Sequence, residues 1–266
     1  MPPCRDDQVY ALAALSDQAD PATFHIVRYH QAFMEDDRLY IQTELCNFNL
    51  SDEIATNGGK LDCDRRYKLL REMLLALEFI HRNAMCHLDI KPQNIFVKKD
   101  PPLDVFKLGD FGLVTKISYH KDVEEGDSRY MSMELLSGDH KDLTKSDIFS
   151  LGCTLYEICL GRELPTNGPE WQQIRAGSLH LLSDTPFEMD RIIRDMMNPT
   201  YINRPCASDL LRRPQLMSKE QRELSDARNK VFQAKLALAQ QAKHFQMPSS
   251  GVLTRRNTWS GGSFQP

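Results

Sequence analysis

Apolar positions recur in two rhythms along the chain, and the changes of rhythm mark its organisation. Within residues 65–81, Leu70, Met73, Leu74, Leu77 and Ile80 fall three and four positions apart. That spacing lines one face of a helix and predicts one from about Arg65 to His81. Residues 8–15 predict part of another helix. Between these, His25–Phe33 and Arg38–Glu44 read as strands, and the acidic Glu35-Asp36-Asp37 suits the hairpin turn joining them. Ile95–Lys98 and Val105–Leu108 predict two short strands, split by the turn signal Asp100-Pro101-Pro102. From Thr144 onward the rhythm is helical. Segments near Asp147–Leu160, Pro169–Ala176 and Glu188–Met197 are separated by Gly and Pro.

The composition shifts after about Leu216. Residues 218–245 contain no Gly or Pro, and Leu224, Val231, Leu238 and Phe245 repeat every seven positions. A long amphipathic helix follows from this. It either packs back on its own domain or self-associates as a coiled coil, for which Ala227, Ala234 and Gln241 make a weak seam. Residues 247–266, rich in Ser, Gly and Thr, are expected to be disordered.

Across the 266 residues, 41% are hydrophobic and 26% charged, the balance of an ordinary globular protein. The net charge of −4 argues against nucleic acid as a partner, because phosphate binding wants a basic surface. No apolar run approaches the ~20 residues of a membrane span, and the N-terminus has no apolar stretch of the secretory kind. No membrane partner is expected. Seven cysteines without a C-x-x-C pair argue against a disulfide framework or zinc site. They favour a reducing compartment, nuclear or cytoplasmic.

The candidate chemistry sits in His87-Leu88-Asp89-Ile90-Lys91-Pro92-Gln93-Asn94 and, sixteen positions after Asn94, in Asp110-Phe111-Gly112. Phosphoryl transfer needs a carboxylate near the attacking hydroxyl, a cation near the moving phosphate and oxygen ligands for magnesium. Asp89 suits the first role, Lys91 the second, and Asn94 with Asp110 the third, since Mg²⁺ prefers hard oxygen donors. A strand hairpin between Asn94 and Asp110 would bring those two together.

The two motifs at this spacing resemble the protein-kinase signature of catalytic loop and metal-binding triplet. Further residues fit that resemblance in order. Glu134 in Ser132-Met133-Glu134 and Arg204 in Asn203-Arg204-Pro205 look like the family's buried ion pair. Asp147 and Gly152 resemble the start of the central helix of the large lobe, where the Asp typically holds the catalytic-loop backbone. Asp147 equally fits a simple N-cap. A finer resemblance, to the Wee-type mitotic inhibitor kinases, rests on Glu124-Glu125-Gly126-Asp127-Ser128-Arg129-Tyr130, on Leu164-Pro165-Thr166-Asn167-Gly168-Pro169-Glu170-Trp171 and on Ile174-Arg175-Ala176-Gly177. The segments His25-Ile26-Val27-Arg28-Tyr29 and Ile41-Gln42-Thr43-Glu44 are similar to theirs too.

The resemblance implies an α+β, two-lobed, protein-kinase-like fold with an incomplete N-terminal β lobe and a mainly helical C-terminal lobe. Residues 1–45 would be the small-lobe remnant, 46–216 the large lobe, 217–246 the amphipathic helix and 247–266 the tail. It implies ATP and Mg²⁺ as cofactors and a protein substrate, a cyclin-dependent kinase phosphorylated on tyrosine. Lys91, however, is the serine/threonine-type residue of the loop. Adenine would lie at Thr43-Glu44-Leu45-Cys46, with Thr43 guarding the back pocket and Phe96 covering the lower face; Phe96 reads equally well as ordinary core. Leu12, Tyr29, His87 and Phe111 would stack as a hydrophobic column between the lobes.

The sequence departs from the family pattern in two places. No glycine-rich loop or Val-Ala-Ile-Lys strand precedes residue 8, and Gln8 stands where the family's helix glutamate belongs. Weak ATP binding and a non-catalytic docking role are therefore the competing expectation. Leu88 replaces the arginine of His-Arg-Asp, so activation should not depend on a phosphate held there; Glu124, Glu125 and Asp127 are expected to order the segment instead. In the tail, Arg255-Arg256-Asn257-Thr258 suits a basophilic kinase, and phosphate on Thr258 would suit an arginine-lined adaptor pocket. An unmodified solvated tail is the alternative.

Overall fold

The computed structural model describes residues 5–16, 20–100, 103–117 and 126–245. Helix α1 (Arg5–Ser16) buries Ala11, Leu12 and Leu15, and the Ser16 hydroxyl accepts the Tyr29 N–H at 3.1 Å. Strands β1 (Tyr29–Glu35) and β2 (Arg38–Thr43) form the expected hairpin. Asp36 and Asp37 form its turn with φ of 48° and 58°. Two consecutive left-handed residues twist the connection the way the strands twist, and Asp tolerates that conformation better than most side chains. The first strand begins at Tyr29, four residues later than its sequence suggested. Pro21–His25 forms a 3₁₀ turn instead, because Pro21 fixes φ and the Asp20 carboxylate accepts the Ala22 N–H at 2.8 Å.

Beyond β3 (Phe48–Asn49) and α2 (Leu50–Thr56) comes α3 (Cys63–Arg82), the predicted long helix. Asp62 caps it by accepting the Arg65 N–H at 2.7 Å. Leu69, Leu70, Leu74, Leu77 and Ile80 have no exposure at all, and each such side chain contributes about 1.5–3 kcal/mol by leaving water. After β4 (Met85–Cys86), strands β5 (Ile95–Asp100) and β6 (Leu103–Leu108) pair in register from Ile95↔Leu108 to Asp100↔Leu103. Pro101 and Pro102 of the expected turn lie outside the described residues. β3 flanks β5 on its other edge, and β7 (Thr115–Lys116) pairs with β4.

The remainder of this unit is helical: α4 (Met133–Leu136), α5 (Leu143–Leu160), α6 (Gly168–Arg175), α7 (Phe187–Met196) and α8 (Ala207–Leu211). α5 is buried along nearly its whole length, so it shows no one-sided pattern and its start was misplaced. It begins at Leu143, with the Asp142 carboxylate accepting the Thr144 N–H at 3.2 Å, which makes Asp142 the cap and leaves Asp147 inside the helix.

The pair expected between Glu134 and Arg204 is present. Arg204 Nη1 and Nη2 lie 2.5 and 3.0 Å from the two carboxylate oxygens, and the guanidinium stacks 4.7 Å from the Phe149 ring centre. Arg204 Nε also donates to the Asn198 carbonyl at 2.7 Å. Residues from 218 onward form a second unit. Its helix α9 (Lys219–Phe245) is closed by a capping box in which Ser218 and Gln221 exchange hydrogen bonds at 2.9 and 3.1 Å. Leu224, Val231 and Leu238 are exposed on it. Among the described residues no helix is long and apolar enough to cross a membrane. The tail from residue 246, with Arg255, Arg256 and Thr258, lies outside them.

Removing one partner from a buried pair strands the other charge. Arg204→Met is expected to cost about 3–5 kcal/mol in chemical denaturation, whereas a surface control such as Arg212→Met should change little. Burial alone would raise the Glu134 carboxyl, but Arg204 holds it below the usual range. Folded Glu134 therefore binds a proton less readily than unfolded Glu134. Its stabilisation is whole above the ordinary glutamate range near ~4.3 and is lost as pH falls through the lower folded value. Wild type should lose stability over that acid window more steeply than Glu134→Gln.

Candidate functional site

The site is built around a carboxylate that donates nothing and accepts three times. Asp147 is fully buried on α5. Its Oδ2 accepts the His87 backbone N–H at 2.9 Å and meets His81 Nε2 at 2.8 Å, while Oδ1 accepts the Leu88 N–H at 2.8 Å. These bonds fix the loop at Leu88, whose φ of +64° is costly for a side chain branched like leucine. Leu88 itself packs with Cys86, Met131, Leu135 and Leu143. Where the family's arginine would await a phosphate, this chain joins loop and activation segment through apolar contact.

His87 carries the constraint onward. Burial pushes its ring toward the neutral form. Nε2 lies 3.0 Å from the Gly109 carbonyl and donates to it, so Nδ1 is left to accept the Asp89 N–H at 3.3 Å. The ring meets Phe111 edge-on, with centroids 5.0 Å apart. Of the column expected from sequence, Leu12 and Phe111 are buried in the main core and Tyr29 packs half-buried against it.

The sequence-predicted residues Asp89, Lys91 and Asn94 converge. Lys91 Nζ lies 2.8 and 3.0 Å from the Asp89 carboxylate oxygens. Asn94 Nδ2 donates to the Asp89 carbonyl at 2.9 Å and to its carboxylate at 2.7 Å. With its nitrogen so used, the amide oxygen is the atom Asn94 has left for a ligand. The β5–β6 hairpin brings Asp110 to it, because the Gly109 N–H closes on the Asn94 carbonyl at 2.9 Å. Asp110 is exposed, with φ of +56°, and accepts the Gly112 N–H at 3.3 Å. One amide oxygen and one exposed carboxylate are the hard donors that Mg²⁺ takes; the residues fit that ion.

Thr43, Glu44, Leu45, Cys46, Phe96 and Asp110 all line one cavity of about 380 Å³, within the range of small-ligand pockets. Gly109 forms part of its wall. A Cβ there would come within 2.7 Å of the Phe96 ring and 2.8 Å of Val27, so only glycine lets the hairpin close. Two details differ from the sequence reading. Thr43 is exposed rather than sunk at the back, since β1 and β2 form a two-stranded sheet among the described residues. The Glu44 carboxylate is spent on Lys107 at 2.8 Å, on Lys98 and on the Arg28 N–H at 2.9 Å. Burial would raise that carboxyl, but the two lysines hold it below its ordinary range. Its N–H is engaged as well, on the Arg28 carbonyl at 2.8 Å, so neither the charge nor the N–H of Glu44 is left for a ligand.

In the activation segment, Glu124 and Glu125 lie outside the described residues. Asp127 forms a bidentate pair with Arg129, whose Nη2 is 2.7 Å from Oδ2. The Tyr130 hydroxyl donates to Glu157 at 2.9 Å. A Cβ on Gly126 would meet the Leu88 carbonyl at 2.9 Å and the Asp89 carboxylate at 3.1 Å, so the segment passes directly beside Asp89. Gln8 lies in α1, with its side chain outside the described residues. Sequence reasoning missed His81 and Glu157, and gave no role to Trp171 and Arg175, which stood in the segments resembling the Wee-type kinases. Their contacts show what they hold.

Residues 15–216 match the family model described as the protein kinase domain. A "Wee1-like protein kinase" of Oryza sativa subsp. japonica is 40% identical over 207 residues, covering 78% of this chain and 38% of that protein. One of Arabidopsis thaliana is 38% identical over 209 residues, covering 78% and 40%. The "membrane-associated tyrosine- and threonine-specific cdc2-inhibitory kinase wee-1.3" of Caenorhabditis elegans is 38% identical over 204 residues, covering 75% and 29%. The chain thus spans less than half the length of these curated relatives. Among solved structures, the Rad53 kinase domain with SCD2 superposes with a TM-score of 0.64 at 27% identity, covering 80% of this chain and 78% of that one.

Proposed function

This chain belongs to the protein kinase family, with Wee-type kinases among its relatives, and on that premise we propose that it transfers the γ-phosphoryl group of ATP to a protein hydroxyl. The observation that supports this most is the convergence of Lys91 and Asn94 on the Asp89 carboxylate beside Asp110. In the proposed mechanism Asp89 orients the attacking hydroxyl and accepts its proton. Lys91 neutralises charge on the moving phosphate. The backbone of Glu44, Leu45 and Cys46 meets the base, and Phe96 covers its lower face. Asn94 and Asp110 would hold Mg²⁺, whose charge would offset that of the phosphates.

The finer proposal is that the substrate is a cyclin-dependent kinase, phosphorylated on tyrosine, and that the protein restrains entry into mitosis from the nucleus or the cytoplasm. Support comes from the similarity to Wee1-like kinases and to the C. elegans protein, whose name specifies tyrosine, threonine and cdc2 inhibition. In an assay of the full chain with ATP·Mg²⁺ and a cyclin-dependent kinase, phosphate is expected on tyrosine. Asp89→Asn and Asp110→Asn should each lower kcat by roughly 10³-fold, as for other electrostatic catalytic groups. Near-wild-type turnover in both variants would sink the mechanism. ATP binding without turnover in the wild type would favour the docking-module reading.

The tail proposal is separate. Phosphate on Thr258 would add about 1.5–2 negative charges next to Arg255 and Arg256, in a form that arginine-lined adaptor pockets bind. Peptides spanning residues 251–263 should bind such adaptors only when phosphorylated; equally weak binding of both forms would end the idea.

A further inference from the structure

Arg175, the last residue of α6, is 4% exposed. Among the described residues no carboxylate pairs with it, and its Nε is buried without a hydrogen-bond partner. A buried guanidinium without a counter-charge is costly, so its placement calls for a return. The group stacks 3.8 Å from the ring centre of Trp171, one turn earlier on the same helix face. Nη1 donates to the Trp171 carbonyl at 3.2 Å, within the helix. Nη2 donates to the Ser128 carbonyl at 2.5 Å. The Trp171 indole N–H donates to the same oxygen at 3.0 Å. Two neighbouring side chains of α6 thus occupy both lone pairs of a single backbone carbonyl.

That carbonyl lies in the turn Asp127–Tyr130, closed by the Tyr130 N–H on the Asp127 carbonyl at 2.9 Å. The Arg129 N–H is held in the same turn by the Asp127 carboxylate at 3.0 Å. Two residues before Ser128 stands Gly126, which passes against the Leu88 carbonyl and the Asp89 carboxylate. The Ser128 carbonyl is therefore one point at which the helical body grips the strand of chain bordering Asp89, beside the Tyr130 hydroxyl on Glu157 and the Ser150 hydroxyl on the Tyr130 carbonyl, both at 2.9 Å.

We infer that Arg175 and Trp171 are positioning residues: they clamp the Ser128 carbonyl and so hold the Gly126–Tyr130 segment beside Asp89, where it shapes the approach of the protein hydroxyl. The part concerning substrate approach rests on the kinase reading above; the clamp itself does not. Because each donor holds the same carbonyl by its own bond, losing one leaves the other in place, and losing both should loosen the segment most.

The test uses the full chain as wild type, Arg175→Met, Trp171→Phe and the double variant, and measures amide hydrogen exchange. Arg175→Met, which loses a charge-assisted bond, is expected to speed exchange at Arg129 and Tyr130 roughly tenfold, and Trp171→Phe, which loses a neutral one, by less. The double variant should be faster than either, and Ile148–Ile158 in α5 should not change. Unaltered exchange at Arg129 and Tyr130 would overturn the clamp, as would equal acceleration in α5, which marks a merely structural role. With turnover in the wild type, KM for the protein substrate should rise roughly tenfold while KM for ATP stays put; a KM for protein that does not move would overturn the role in substrate approach. Absence of turnover in the wild type would instead count against the kinase reading, and the exchange result would still decide the clamp.

Discussion

The buried carboxylate of Asp147 is the constraint on which the site depends. A charge without solvent must be fully hydrogen-bonded, and this one is satisfied, among the described residues, by the backbone of His87 and Leu88 together with the His81 ring. Those bonds force Leu88 into the left-handed region. The next residue, Asp89, is thereby turned out toward Lys91 and Asn94. The neutral His87 ring then ties the Asp89 backbone to Gly109, one residue from Asp110. α3, the loop at His87–Leu88, α5 and the β5–β6 hairpin are tied together by two side chains.

The second layer surrounds that loop with contacts of a different kind. Leu88 removes a cation from the loop and replaces it with packing against Met131, Leu135 and Leu143. The activation segment then carries its own charge balance in the Asp127–Arg129 pair, where Arg129 keeps the carboxyl low against the opposing effect of burial. Among the described residues, Gly126–Tyr130 are held by this self-contained pair and the hydrogen bonds to the Ser128 carbonyl, beside the apolar seat of Leu88. The Glu134–Arg204 pair anchors the far end of the same segment to the helical body.

Much of this was legible in the sequence because it rests on local rules. The three-four spacing of Leu70, Met73, Leu74, Leu77 and Ile80 fixes α3, and the acidic pair Asp36-Asp37 marks the hairpin. Asp89, Lys91, Asn94 and Asp110 were readable because their chemistry and spacing are linked by one hairpin. What stayed hidden depends on long-range contact. α5 is buried all round, so periodicity could not locate its start, and Asp142 outcompeted Asp147 as the cap. Pro21 and Asp20 together override the strand-like character of residues 25–28. Glu44 was read as part of the segment meeting adenine, and only the placement of Lys98 and Lys107 shows where its charge goes. Trp171 and Arg175 carry an ordinary amphipathic pattern, and their shared acceptor lies more than forty residues away.

The most direct measurement is amide exchange at His87 and Leu88 in wild type and Asp147→Asn, paired with turnover of the same samples. An asparagine keeps the shape but turns one acceptor oxygen into a donor facing N–H groups, which should cost about 1–3 kcal/mol at the loop. Exchange at both amides should then accelerate at least tenfold, and phosphoryl transfer should fall with it although Asp89, Lys91 and Asn94 are untouched. If both amides remained protected and turnover remained at the wild-type level, the claim that Asp147 sets the catalytic geometry would be wrong.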